Sequence, residues 1–198
     1  MTPKPILFID FDGTISSQRY WRSLPPDVYN KVQKLLFSGE KILVNEWMRG
    51  EHTAEEINRL VAGEIGMPFG ELWNLFVQDC RTFSILPSVL KAISSRRNSH
   101  SVILITDNMD SFTRFTVPSL GLEKYFDGVS NSFYERLRKA DNGGELFRRH
   151  TQAYGASLGK SVLVDNSPVN CAVFEALGGI AHHVTPERDI MYYLEHFV

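Results

Sequence analysis

The sequence predicts an α/β fold: a doubly wound, mostly parallel sheet of Rossmann-like form with an inserted α-helical unit. Three short apolar runs carry the sheet: Ile6-Leu7-Phe8-Ile9, Val102-Ile103-Leu104-Ile105 and Val162-Leu163-Val164. They are continuous rather than alternating and rich in β-branched residues, as strands covered on both faces are. Helical patterns stand between the later runs, and strand alternating with helix implies a parallel, doubly wound layer. The third observation is a break in spacing. A strand–helix–strand unit takes about 30 residues. Thr106 and Asp165 are 59 positions apart, room for two units, but Asp10 and Thr106 are 96 apart with no comparable run between.

Taken in order, the first run is strand one and ends at Asp10. The stretch 15–86 holds amphipathic segments at Asp27 to Phe37, Thr53 to Ile65 and Pro68 to Cys80. Thr53 and Glu56 form a capping box, which sets the start of the second. Pro87 to Arg97 begins with proline at a plausible first turn and carries Val89, Leu90 and Ile93 on one side. The second strand follows and ends at Thr106. Asp110 to Leu120 reads as a helix weakened near its end by Pro118. Gly128-Val129-Ser130 is a weaker strand, Gly144 to Tyr154 a helix, and Val162 to Val164 a strand ending at Asp165. Ser167 to Leu177, Ile180 to Val184 and Glu187 to Phe197 complete the order as helix, strand and helix. The division is therefore a core of residues 1–14 and 87–198, and a helical insertion of residues 15–86.

Composition excludes several classes. The chain has 198 residues, long enough to bury a core with neither disulfide nor structural metal. Lys plus Arg is 21 against 23 for Asp plus Glu, a net charge of −2 and no footprint for nucleic acid or an anionic membrane. No apolar run approaches a membrane span or a signal-peptide core. Cys80 and Cys171 match no zinc or redox spacing, so a reducing, cytoplasmic setting is expected.

Ligands of open parallel sheets bind beyond the carboxyl ends of the strands. Asp10, Thr106 and Asp165 should therefore meet on one edge. Asp10-Phe11-Asp12-Gly13-Thr14 is the most informative segment. Two carboxylates two residues apart on an extended chain face one side, and Gly13 permits a sharp turn after them. One can attack or bind metal while the other moves a proton. A calcium-binding loop also begins Asp-x-Asp, but it needs glycine sixth and glutamate twelfth, and here those places hold Ile15 and Trp21.

Four segments in order, Asp10 to Thr14, Thr106 at a strand end, Lys139, and Asp165-Asn166 at another strand end, resemble the motifs of the haloacid-dehalogenase-like (HAD) superfamily. The resemblance spans nearly the whole chain and points to the branch with a small helical cap after the first strand. Glu46 to Thr53 is similar to the cap of sugar-phosphatase-like members. It implies a Mg²⁺-dependent phosphatase that hydrolyses a small phosphomonoester through an aspartyl-phosphate. Asp10 would be the nucleophile, and Asp12 the group that protonates the leaving alcohol and then activates water. Thr106, the amide of Asp107 and Lys139 would bind the phosphate. Asp10, the main-chain carbonyl of Asp12, and Asp165 or Asn166 would hold Mg²⁺. The partner would be a small phosphorylated metabolite.

Three residues depart from the pattern. Asn166 stands where a second acid is usual and removes a negative charge. Ala140 follows Lys139 in place of the commoner proline, which leaves Arg138 as a substitute. Asp107 stands where asparagine is more usual, and its carboxyl should turn from the phosphate. A phosphomutase shares these motifs, and a non-catalytic binding or regulatory domain of the same fold is the reading from another class. Dehalogenation is disfavoured because it needs no acid–base group at Asp12.

Elsewhere plainer roles are expected. Trp21, Trp47 and Trp73 read as packing of the helical insertion, and Arg19, Arg22 and Arg49 as solvated. Arg136, Arg148 and Arg149 read as exposed helix charges. His182 and His183 read as structural, since no further ligand spacing supports a metal there.

Overall fold

A computed structural model describes residues 3–196. Its sheet has five parallel strands in the order β3-β2-β1-β4-β5. β1 (Ile6–Ile9) lies between β2 (Ser101–Thr106) and β4 (Val162–Asp165), with Ile9 opposite Leu104 and Val164. β3 (Gly128–Asn131) and β5 (Ile180–His183) form the edges. The apolar runs are buried on both faces because residues alternate between two cores. Leu7, Ile9, Val102, Leu104, Val162 and Val164 face one; Ile6, Phe8, Ile103, Ile105 and Leu163 face the other.

The second core is closed by α8 (Glu145–Ala153) and α9 (Pro168–Ala176). Phe8, Phe147 and Phe174 meet edge to face there, with ring centroids 4.8 to 5.7 Å apart. Each such ring withdrawn from water contributes about 1.5–3 kcal/mol. The first core is closed by α5 (Pro87–Arg96) and α10 (Ile190–Glu195), and it runs on into the helical insertion.

Between β1 and α5 the described residues form no named strand, only α1 (Pro26–Phe37), α2 (Ile42–Met48), α3 (Ala54–Ile65) and α4 (Phe69–Arg81). The Thr53–Glu56 capping box is present, with both reciprocal bonds. α2 was not expected. It is short, Lys41 before it is left-handed, and no side chain caps it, so it has no start signal. Trp21 and Trp47 are fully buried around Phe76, and each indole N–H is bonded, to Asn58 Oδ1 and Asp110 Oδ1, both at 2.9 Å. Trp73 is half-buried against Phe69, Phe76 and Phe115.

Two expected helices are altered. Asp110 to Leu120 is helical throughout, but with a π turn over Phe112–Thr116 leading into α6 (Val117–Leu120). Pro118 has no N–H to give back to the preceding turn, and the π turn lies just before it. The last helix starts at Ile190, not Glu187, because Thr185 and Arg188 pair in a turn and Asp189 caps it. Phe197 lies outside the described residues. A remaining one-turn helix, α7 (Ser132–Glu135), follows β3.

Arg49 and Arg22 are not simply solvated. Arg49 makes a two-pronged contact with Asp141, at 2.8 and 2.9 Å, which ties α2 to the segment after Lys139. Arg22 donates to Asp79 O at 2.8 Å. His182 stacks on Tyr193, and His183 contacts Asn166 O through Nε2. No helix among the described residues is long and apolar enough to cross a membrane.

Candidate active site

Adjacent parallel strands end in register, so the residues after β1, β2 and β4 share one edge. Asp10 N–H donates to Val164 O at 3.0 Å, which fixes the first carboxylate beside the end of β4. The chain then turns tightly, with the amides of Thr14, Ile15 and Ser16 all bonded to Phe11 O. Gly13 enables the turn at φ 79. The turn carries the Thr14 hydroxyl back to donate to Asp10 Oδ2 (3.2 Å), and Thr14 Oγ1 itself accepts from Asn166 N–H (3.1 Å).

Lys139 arrives from the segment between α7 and α8. Its Nζ is 2.6 Å from Asp10 Oδ1 and 2.6 Å from Asp165 Oδ2, and all three groups are buried. Burial opposes the ammonium charge, but Asp10, Asp165 and Asp107 outweigh it and hold its pKa above the ordinary value. Burial also pushes the Asp10 carboxyl up, against the pull of Lys139. Asp12 is pushed up to about 6 by burial, opposed by Arg19, whose Nη1 is 3.7 Å from its Oδ1. Asp107 is raised by burial and lowered by Lys139.

Asp107 turns its carboxyl onto the main chain of Lys139, accepting that N–H at 2.8 Å. Thr106 is wholly buried at the end of β2. Arg138 does not take the place of Lys139: its guanidinium bonds Asn45 Oδ1 on α2, at 2.6 Å. Asp165 spends both carboxylate oxygens on the protein. Oδ1 accepts from Ser167 N–H (2.7 Å), and Oδ2 from Lys139 and from Asn170 Nδ2 (3.1 Å). Oδ2 is thus committed to Lys139 and Asn170, while Oδ1, with one donor, keeps a lone pair. The Asn166 side chain, which makes no hydrogen bond among the described residues, lies against Gly13 beside Asp10.

Asp10, Asp12, Asp107, Lys139, Asp165 and Asn166 line one cavity of about 670 Å³, roofed by α1 and α2 through Phe37, Val44, Asn45 and Met48. No three His, Cys, Asp or Glu side chains form a ready metal cage among the described residues. Mg²⁺ nevertheless fits the chemistry here. Three Asp carboxylates surround one buried lysine, a surplus of negative charge in a low-dielectric place, and the Asp10 carboxylate and the Asn166 amide oxygen are hard donors.

Sequence reasoning passed over Asn108, Asn170 and the separate role of Thr14. Asn108, wholly buried, donates from Nδ2 to Asp12 Oδ2 at 3.2 Å. Its position two after Thr106 carries no recognisable signal. Asn170 could have been found, since Ser167-Pro168 reads as a helix start that aims the first turn of α9 back at Asp165.

No family model matches the chain, and no curated protein matches it in sequence. Solved structures do match in fold. A HAD family enzyme from Bacteroides thetaiotaomicron, in complex with magnesium and inorganic phosphate, superposes with a TM-score of 0.68 at 18% identity, covering 94% of this chain and 96% of that one. A predicted HAD-like family hydrolase from Porphyromonas gingivalis gives 0.70 at 16% identity, over 91% and 90%. A 2-haloacid dehalogenase from Pseudomonas syringae gives 0.64 at 16%, over 93% and 87%. At such identities the likeness is one of architecture: the chain has the haloacid-dehalogenase-like fold, a Rossmann-like core with an inserted helical cap.

Proposed function

We propose that the chain is a Mg²⁺-dependent phosphatase acting on a small phosphomonoester, with Asp10 as nucleophile. The observation that carries this reading is the pairing of two unlike carboxylates in one cavity. Asp10 is buried against Lys139, whereas Asp12, two residues on, is half-buried and held by Asn108. Unlike environments let two acids take unlike roles.

In the first step the Asp10 carboxylate bonds to phosphorus and the ester P–O bond breaks. The leaving oxygen takes its electron pair and a proton from Asp12. In the second, Asp12 takes a proton from water as that oxygen bonds to phosphorus, and the aspartyl-phosphate bond breaks to restore Asp10 and release phosphate. Lys139 holds Asp10 in place and offsets its charge as it nears the phosphate. The Asp107 amide receives a phosphate oxygen, whereas Thr106, wholly buried and not lining the cavity, supports this sheet edge instead of touching the phosphate. The Asp10 carboxylate, the Asp12 main-chain carbonyl, and Asp165 or Asn166 would hold Mg²⁺, which when bound supplies charge neutralisation at the transferring phosphoryl group.

Dehalogenases share the fold, but their chemistry leaves the Asp12–Asn108 contact without a task. The cavity volume suits a small phosphorylated metabolite. Cys80 and Cys171 are free and buried, in keeping with a cytoplasmic enzyme. The test is turnover of a generic aryl phosphate with and without Mg²⁺. Metal-dependent release of phosphate, lost in Asp10→Asn, is expected. Equal rates for wild type and Asp10→Asn at every metal concentration overturn the reading, and burst and product analysis with a sugar phosphate separates hydrolysis from mutase chemistry.

A further inference from the structure

Asn108 reaches Asp12 through an amide whose orientation the surrounding groups dictate. Its Oδ1 accepts from Tyr20 Oη at 2.7 Å and from Met109 N–H at 2.9 Å. Met109 N–H can only donate, which makes that atom the carbonyl oxygen, so the Tyr20 hydroxyl donates to it and Nδ2 must face Asp12 Oδ2. A flipped amide would set N–H groups against N–H and lose the bond to Asp12 as well. The main chain is pinned too: Asn108 N–H donates to Ser132 Oγ at 3.0 Å, and Ser132 Oγ donates to Asn108 O at 3.2 Å. Tyr20 is equally constrained, its ring packed against Trp21, Phe76 and Phe83 at 5.5 to 6.3 Å between centroids. Buried polar chains of this kind hold a single arrangement, because each alternative leaves a donor or acceptor unpaired.

We infer that Asn108, oriented by Tyr20, is the positioning residue for Asp12: it ties Oδ2, so that Oδ1, which has the half-exposed Arg19 guanidinium 3.7 Å away, passes the proton to the leaving oxygen. The inference rests on the phosphatase reading above. Asn108 touches neither ester nor metal and acts only through Asp12. As the ester P–O bond breaks, its electron pair goes to the leaving oxygen and the Oδ1 proton follows. A carboxyl free to rotate presents that oxygen for only part of the time, and small misplacements of a reacting group are costly. Tyr20 belongs to the aromatic cluster of the cap helices, so the same chain makes the aim of Asp12 depend on cap packing.

The test exploits leaving-group dependence. Nitrophenolate leaves readily without a proton, whereas phenolate gains more from one. With full-length protein and Mg²⁺, kcat/KM is measured for 4-nitrophenyl phosphate and phenyl phosphate, and their ratio is the readout. Asn108→Ala should raise the ratio roughly tenfold, and Tyr20→Phe should move it in the same direction by a smaller factor. Combined with Asp12→Asn, Asn108→Ala should add no further change in the ratio. Tyr20→Phe removes one oxygen only and keeps the test alive if Asn108→Ala does not fold. Equal loss on both esters, or a ratio change that persists on top of Asp12→Asn, overturns the inference and leaves the phosphatase reading standing. A wild type without Asp10-dependent turnover of either ester overturns both.

Discussion

Lys139 Nζ and Asp10 Oδ1 are 2.6 Å apart in a place that solvent scarcely reaches, and the same nitrogen is 2.6 Å from Asp165. A buried ion group of this kind contributes little net stability when intact, because desolvation offsets attraction, but breaking it strands the survivors. Lys139→Met should therefore cost about 3–5 kcal/mol in urea denaturation and abolish phosphate release. An unchanged denaturation midpoint would show that the two carboxylates do not need the lysine.

Gly13 has two reasons to be glycine. Its φ is 79, and a Cβ there would lie 2.2 Å from Asn166 Nδ2 and 2.9 Å from Asn166 Cγ. Gly13→Ala should destabilise by roughly 1–2 kcal/mol for the left-handed backbone. It should also displace the Asn166 amide and weaken Mg²⁺ binding, read by titration of the purified protein with the metal alone. Wild-type metal affinity in Gly13→Ala would remove Asn166 from the metal site.

Asn166→Asp restores a negative charge beside Asp10 without changing side-chain length. Tighter Mg²⁺ binding than wild type is expected, since carboxylate oxygens are the preferred hard ligands. Identical metal titration curves for the two proteins refute this.

His150 gives the fold a pH dependence remote from the site. It is half-buried on α8, with Nε2 2.8 Å from Ser130 Oγ and its ring near Phe8. Burial lowers its pKa below the ordinary 6.5, although Glu135 pulls the other way. The unfolded chain thus takes up this proton first. The contribution is complete above 6.5 and is lost as pH falls from there toward the lower folded value. His150→Gln should lose less stability than wild type between about pH 7.5 and about pH 5.5, measured as urea midpoints. An identical loss in both proteins assigns the acid sensitivity to other groups.

The sheet was legible because its strands are buried on both faces, so Ile6 to Ile9, Val102 to Ile105 and Val162 to Val164 needed no alternation to be recognised. The Thr53–Glu56 capping box was legible for a local reason, two side chains three apart that bond reciprocally. The site was legible only as residue types at strand ends. Lys139 is 129 positions from Asp10, and nothing short of the strand order places its nitrogen between two carboxylates. The same holds for Asp165 and Asn166. Both line the cavity, but Asp165 is held by Lys139, Ser167 and Asn170 while the Asn166 side chain makes no hydrogen bond among the described residues, a difference that depends on how α9 begins. Asn108 and Tyr20 left no trace, since a buried amide oriented by a tyrosine 88 positions away has no spacing to read.

All three tryptophans, Trp21, Trp47 and Trp73, lie around Phe76 in the helical insertion, and the strand-bearing core has none. Intrinsic tryptophan emission is therefore a selective optical reporter of the cap. Far-ultraviolet circular dichroism, by contrast, sees both parts. Recorded side by side along a denaturant gradient, the two signals tell whether the cap melts with the sheet beneath it or lets go first.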